Sequence, residues 1–148
     1  MSDNSQAPAV EFNIQKIFTK DISFESPRAP LIFTQPWKPE VNVDLNTANA
    51  LIDDKTYEVV LSVTVTAKSS NEVAFVAEVK QSGIFVIDGM PAEQLQQVLG
   101  SFCPSTLFPY AREAIANVIA RGGFPELQLA PVNFDMLYAQ SQQGAVRT

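Results

Sequence analysis

An α+β fold built on an antiparallel sheet follows from three observations. Apolar and polar residues alternate with period two from Phe12 to Val79, helical spacing replaces that alternation from Leu95 onward, and Pro and Gly mark the boundaries. Strands followed by helices, rather than interleaved with them, indicate an antiparallel sheet with helices on one face. No internal repeat is visible, and 148 residues with 46% apolar content suit one domain with a real core.

Residues 1–10 read as a disordered polar lead, 11–140 as one domain and 141–148 as a flexible tail. In the first strand Phe12, Ile14, Phe18, Ile22 and Phe24 share one parity, interrupted by Lys16 and Lys20. Asn13, Gln15, Thr19, Asp21, Ser23 and Glu25 share the other, with Ile17 among them, so one face is wet. A shorter strand is expected at Val41–Leu45. The clearest strand runs from Tyr57 to Ala67, with Tyr57, Val59, Leu61, Val63 and Val65 on one side and Glu58, Val60, Ser62, Thr64 and Thr66 on the other. Ser69-Ser70-Asn71 supplies a turn, after which Val73, Phe75, Ala77 and Val79 resume the alternation. This predicts a hairpin.

Helical spacing of Leu95, Val98, Leu99 and Phe102 follows Pro91, a good first-turn residue. Cys103-Pro104 is expected to interrupt or bend that helix. Proline is tolerated only in a helix's first turn, so a new helix is expected to begin near Pro109 and run to Arg121. Its apolar stripe is Ala111, Ile115, Val118 and Ile119, and Gly122-Gly123 stops it. Asn133 is placed to cap a last helix carrying Phe134, Leu137 and Tyr138.

The charge is −6 and lies entirely in residues 1–100, whereas 101–148 is neutral. An acidic half cannot hold nucleic acid, which requires clustered Lys and Arg, but it can steer a basic partner. The absence of histidine removes the commonest general base and metal ligand. The single Cys103 forms no internal disulfide and reads as a small buried hydrophobe. Asp53-Asp54 reads as a solvated turn, and neither a phosphate-loop glycine pattern nor a Ser-x-x-Lys arrangement is present. The expectation is a protein without catalytic residues, metal or cofactor. Neither a membrane span nor a signal peptide is recognisable, which predicts a soluble, cytoplasmic protein.

Two connections have an unusual composition. Ser26–Pro39 holds four prolines together with Leu31, Ile32, Phe33 and Trp37, while Phe124–Val132 holds Pro125, Pro131, Phe124, Leu127 and Leu129. Ordinary loops are polar because they face water. Stiff apolar loops either fold onto the core or line a groove for extended peptide.

The run Phe102-Cys103-Pro104-Ser105-Thr106-Leu107-Phe108-Pro109-Tyr110-Ala111-Arg112-Glu113 and the later Pro131-Val132-Asn133-Phe134-Asp135 resemble signatures of the SecB family of export chaperones. Ile17-Phe18-Thr19-Lys20-Asp21-Ile22-Ser23-Phe24-Glu25 and Tyr57-Glu58-Val59-Val60-Leu61 extend the resemblance over residues 11–139, in the same order. It implies a four-stranded sheet followed by a long and a terminal helix. It also implies ATP-independent binding of unfolded preproteins, a homotetramer arranged as a dimer of dimers, and delivery to the motor SecA.

Groove residues expected from the two loops and the resemblance are Trp37, Val41, Val43, Leu45, Phe124, Leu127, Leu129, Phe134 and Leu137. SecA's basic, zinc-bearing tail is implied to dock on Asp21, Glu25 and Glu78, beside Val76. Phe75, Ala77, Val79 and Gln81, with the helix stripe Ala111, Ile115, Val118 and Ile119, are implied to face the oligomer interface. The sequence departs from the family at Val76-Ala77-Glu78, where relatives commonly have Leu-Cys-Glu, and has no acidic residue after Asp135. The second departure weighs against a further SecA contact through an acidic tail. Two other readings stay open: a related chaperone dedicated to an antitoxin, and a carrier for a small apolar ligand.

Overall fold

The strongest alternation in the sequence forms the middle of the sheet. Strands β3 (Thr56–Ser69) and β4 (Glu72–Asp88) are joined by Ser70 and Asn71 at φ 53° and 65°. Two left-handed residues are what a tight hairpin turn requires, because their twist matches that of the strands. Strand β1 (Glu11–Glu25) pairs with β4, and β2 (Pro39–Asp53) pairs with β3, all antiparallel, giving the order β1-β4-β3-β2. The computed structural model describes residues 9–147, with side chains as far as Gln142. The expected disordered lead lies largely outside this range.

Every second residue of β3 from Val59 to Ala67 is fully buried, as are Ala77 and Val79 opposite them. These side chains form the sheet's inner face, on which the helices lie. Two expectations about the outer strands are corrected. Register shifts between Ile14 and Lys16 and between Thr19 and Asp21 put bulges in β1. An extra residue flips the facing of all that follow, so Ile17, opposite Gly83, points inward and Phe18, opposite Ser82, points outward. The lysines that interrupt the alternation sit at these bulges. Strand β2, expected only at Val41–Leu45, continues to Asp53. Its second half, Asn46-Thr47-Ala48-Asn49-Ala50, has little strand propensity of its own and is held by its pairing with Glu58 to Ser62 of the hairpin.

The helical half begins with α1 (Ala92–Gln97), which runs through a π-turn (Val98–Phe102) into α2 (Cys103–Arg121). The expected break at Pro104 is this π-turn, in which the Cys103 N–H reaches back to the Val98 carbonyl. Widening the turn relieves the clash between a proline ring and the carbonyl four residues before it. It also rotates the helix phase, so Phe102 is turned outward and Cys103 inward. The expected fresh start at Pro109 is not found: α2 carries Pro109 in its interior. Pro109 and Ser105 both face water, so the unpaired Ser105 carbonyl can be hydrated. Leu107, Phe108, Ala111, Ile115 and Ile119 meanwhile pack onto the sheet. Helix α3 (Phe134–Arg147) is capped by the Asn133 Oδ1, which accepts the Met136 N–H at 3.0 Å. Its backbone stays helical where a flexible tail was expected; Gln and Ala are good helix formers.

Both proline-rich connections meet at the end of α2. Gly123, at φ 92°, closes the helix, and the Phe124 N–H bonds back to the Ile119 carbonyl. The Phe124 ring then lies 4.9 Å from Phe33, 4.9 Å from Phe75, 5.3 Å from Trp37 and 6.3 Å from Phe24. Gly122 has no room for a side chain because the Phe24 ring occupies the space. One ring thus ties α2, both loops, β1 and β4 together. Replacing it leaves a cavity among four aromatic neighbours. Phe124→Ala is expected to destabilise the protein by about 3–5 kcal/mol, measured by urea unfolding at fixed protein concentration; a loss under about 1 kcal/mol would show that the loops close without it.

Candidate functional site

The strands present two unlike surfaces. On the outer face, away from the helices, Asp21 lies opposite Lys80, Ser23 opposite Glu78, and Glu25 opposite Val76. Asp21 and Glu25 are therefore the two diagonal neighbours of Glu78, at the usual Cα separation of about 7–8 Å. Asp21 and Glu25 are exposed, whereas Val76 and Glu78 are half-buried. Glu78 accepts the Thr64 hydroxyl at 3.1 Å. The second bulge is what makes the grouping possible, since it returns Asp21 and Glu25 to the outer face. The four residues expected to dock SecA form one patch. Sequence reasoning missed a neighbouring group on the same face. Lys20 pairs with Glu58 at 2.9 Å, and the buried Ser82 hydroxyl donates to the same carboxylate at 2.7 Å. The Lys20 hydrogen bond, followed by that of Ser82, holds the Glu58 carboxyl below its ordinary range.

On the inner face the apolar groups divide between core and surface. Phe124, Leu129 and Phe134 are buried; Trp37, Leu45 and Leu127 are partly buried and pack against the core. Val41 and Val43 retain 44% and 40% of their exposure, which is high for residues on the apolar side of a sheet, and Leu137 of α3 retains 41%. Val41, Val43 and Leu45 share the inward side of β2, opposite Ala67, Val65 and Val63. Trp37 and the 49%-exposed Phe33 rest on Phe124 near the start of that strand. Phe33 was not among the expected groove residues, although its place in the apolar loop was the signal for it. The nine expected residues thus divide into a buried floor and an accessible rim along β2 and α3.

The residues expected at the oligomer interface are used inside the chain. Phe75, Ala77, Val79, Gln81, Ala111, Ile115 and Ile119 are no more than 3% exposed, and only Val118 keeps partial access. Their parity faces α2 of the same chain, and of this set Gln81 and Val118 reach the surface between β1 and α2. The accessible side of this layer is a cleft of about 470 Å³ between β1 and α2, in which Ile22, Tyr110, Ala114 and Val118 are flanked by Thr19, Gln81, Glu113, Asn117 and Arg121.

Among the described residues, no group of three acidic, Cys or His side chains is placed to hold a metal. Cys103 is fully buried, and burial pushes its thiol up to about 12, so it is a packing residue and not a nucleophile. No helix of the described residues is long and apolar enough to cross a membrane.

The family profile described as "Preprotein translocase subunit SecB" matches residues 4–145. The "Protein-export protein SecB" of Marinobacter nauticus is 53% identical over 147 residues, covering 95% of this chain and 89% of that protein. Its namesake in Hahella chejuensis is also 53% identical, over 152 residues, covering 98% and 96%. Among solved structures, a SecB-like chaperone of Mycobacterium tuberculosis in complex with a ChAD peptide from the HigA1 antitoxin superposes with TM-score 0.68 at 18% identity, over 82% of this chain and 90% of that one. That likeness bears on the fold, and it agrees with the sheet-and-helix arrangement above. The profile match across nearly the whole chain, with two close relatives of matching length, establishes that this chain belongs to the SecB family.

Proposed function

We propose that this protein is an ATP-independent cytoplasmic chaperone that holds unfolded preproteins and passes them to SecA. The observation that carries the reading is half-exposed Val41 and Val43 on a sheet face that otherwise buries such residues, with exposed Phe33 and partly buried Trp37 resting on Phe124 near the start of that strand. Holding requires no catalysis. Each client side chain fully removed from water contributes about 1.5–3 kcal/mol, and several weak sites reinforce one another through effective concentration. Hydrophobic burial is non-directional, which suits a broad clientele. Identity of 53% with two export proteins, against 18% with the antitoxin-linked chaperone, favours the export role over the dedicated one.

Client binding is expected to shift Trp37 fluorescence and to suppress aggregation of a denatured preprotein without nucleotide. Val43→Ser combined with Leu45→Ser should weaken holding at least several-fold while the oligomer persists. Unchanged holding would move the groove elsewhere.

Assembly as a tetramer, a dimer of dimers, gives the cleft between β1 and α2 a covering. Ile22 and Tyr110 stand 46% and 48% exposed there, and Ile14 stands 44% exposed further along β1. Exposed apolar side chains gathered on one side of a monomer commonly mark a contact with another chain. Light scattering should return about 65 kDa, four times 16.2 kDa; a stable monomer at micromolar concentration would overturn the assembly.

The outer patch of Asp21, Glu25 and Glu78 is the docking face for SecA's basic tail. Asp21→Lys or Glu78→Lys is expected to reduce binding of the isolated tail peptide by about tenfold or more, leaving client holding intact, because the groove opens on the other face. Added salt should weaken the wild-type contact, since exposed charges are screened over about 8–10 Å near physiological ionic strength. Wild-type affinity in both reversed variants would remove the docking face and favour the antitoxin-dedicated alternative.

A further inference from the structure

The π-turn between α1 and α2 does more than accommodate Pro104. It packs against β2 on one side and against α3 on the other. On the α3 side two contacts meet it and a third meets α2. The Ser101 hydroxyl, only 3% exposed, donates a hydrogen bond to the Asp135 carboxylate. Gly100 lies flat under Tyr138, where a Cβ would stand 2.5 Å from the ring's Cδ1. Phe134 lodges beside Phe108, with centroids 5.8 Å apart. Beyond Tyr138 every described side chain of α3 is exposed, so these contacts in its first turn and a half anchor the helix.

We propose that Ser101 and Asp135 are positioning residues for client holding: they clasp α3 to the π-turn and so fix the wall of the groove that carries Phe134 and Leu137. The clasp is built to open. Ser101 is sealed in the interior, but Asp135 is exposed and can exchange its protein partner for water at modest cost. Opening it would swing away α3, and with it the accessible Leu137. The closed clasp therefore governs how long a client stays.

This inference rests on the groove reading above, so its test separates the two. In the full-length protein, Ser101→Ala and Asp135→Ala each remove one half of the clasp, whereas Asp135→Asn keeps an acceptor oxygen. Amide hydrogen exchange of residues 134–142, read by mass spectrometry without client, should accelerate on the order of tenfold in both alanine variants, the scale of one hydrogen bond to a charged group. Dissociation of fluorescently labelled, reduced and carboxymethylated α-lactalbumin should accelerate by a similar factor. Asp135→Asn should lie within about threefold of the parent, and the double alanine variant should be no worse than either single one, as two halves of one contact require. Unchanged exchange in both alanine variants would remove the clasp. Faster exchange with unchanged release would remove its role in client holding. Failure of the groove reading itself would show elsewhere, as unaltered binding of the same probe by the Val43 and Leu45 variants.

Discussion

The packing of Phe124 is the contact on which the rest of the structure depends. It follows the glycine stop of α2, and its ring is covered by Phe24, Phe33, Trp37 and Phe75. Those residues come from β1, the loop joining β1 to β2, and β4, so a single side chain fixes the long crossover between the two edge strands. The crossover in turn decides where β2 begins, at Pro39. Because Trp37 and Phe33 are only partly covered by this packing, the same contact that closes the core also presents the start of the apolar rim. Core closure and the exposed apolar start of β2 share one aromatic centre.

Much of this was legible in the sequence. The alternation in β3 and β4 fixed which residues are buried, since period two leaves no freedom once one face is apolar. Gly122-Gly123 and Asn133 marked helix boundaries by mechanisms local to the backbone. What was hidden depends on neighbours. The bulges in β1 appear in the sequence only as misplaced lysines, and their effect on facing emerges when β1 is laid against β4. The second half of β2 has no signal of its own and is a strand because β3 offers it hydrogen bonds. Proline rules misjudged Pro109, because the packing of Leu107, Phe108, Ala111 and Ile115 outweighs one lost backbone bond.

The site was legible to a different degree. Alternation put Glu78 and Val76 on the polar parity correctly, and the bulged β1 brings Asp21 and Glu25 beside them. The residues assigned to assembly were read from the right parity, and most of them are already covered by the chain's own helix. An inward-facing strand residue is inward for its own helix first, and Ala77, Val79 and Ile115 have no exposure left after α2 lies down. Sequence pattern identifies an apolar face without saying how much of it the chain covers for itself.

Among the described residues β2 is an unpaired edge, and its composition has a bearing on solubility. A protein that carries half-exposed Val41 and Val43 next to a free row of backbone donors and acceptors offers a template for its own polymerisation into larger sheets. Pro39 at the entry removes one donor from that row. Asn42, Asp44 and Asn46 place polar groups along the outward side, and Asn49 and Ala50 are poor strand formers. Stacking a second copy edge to edge would strip water from those amides and carboxylates without giving them partners. The strand thus keeps an apolar inner side accessible while its edge is costly to extend with a second copy of itself.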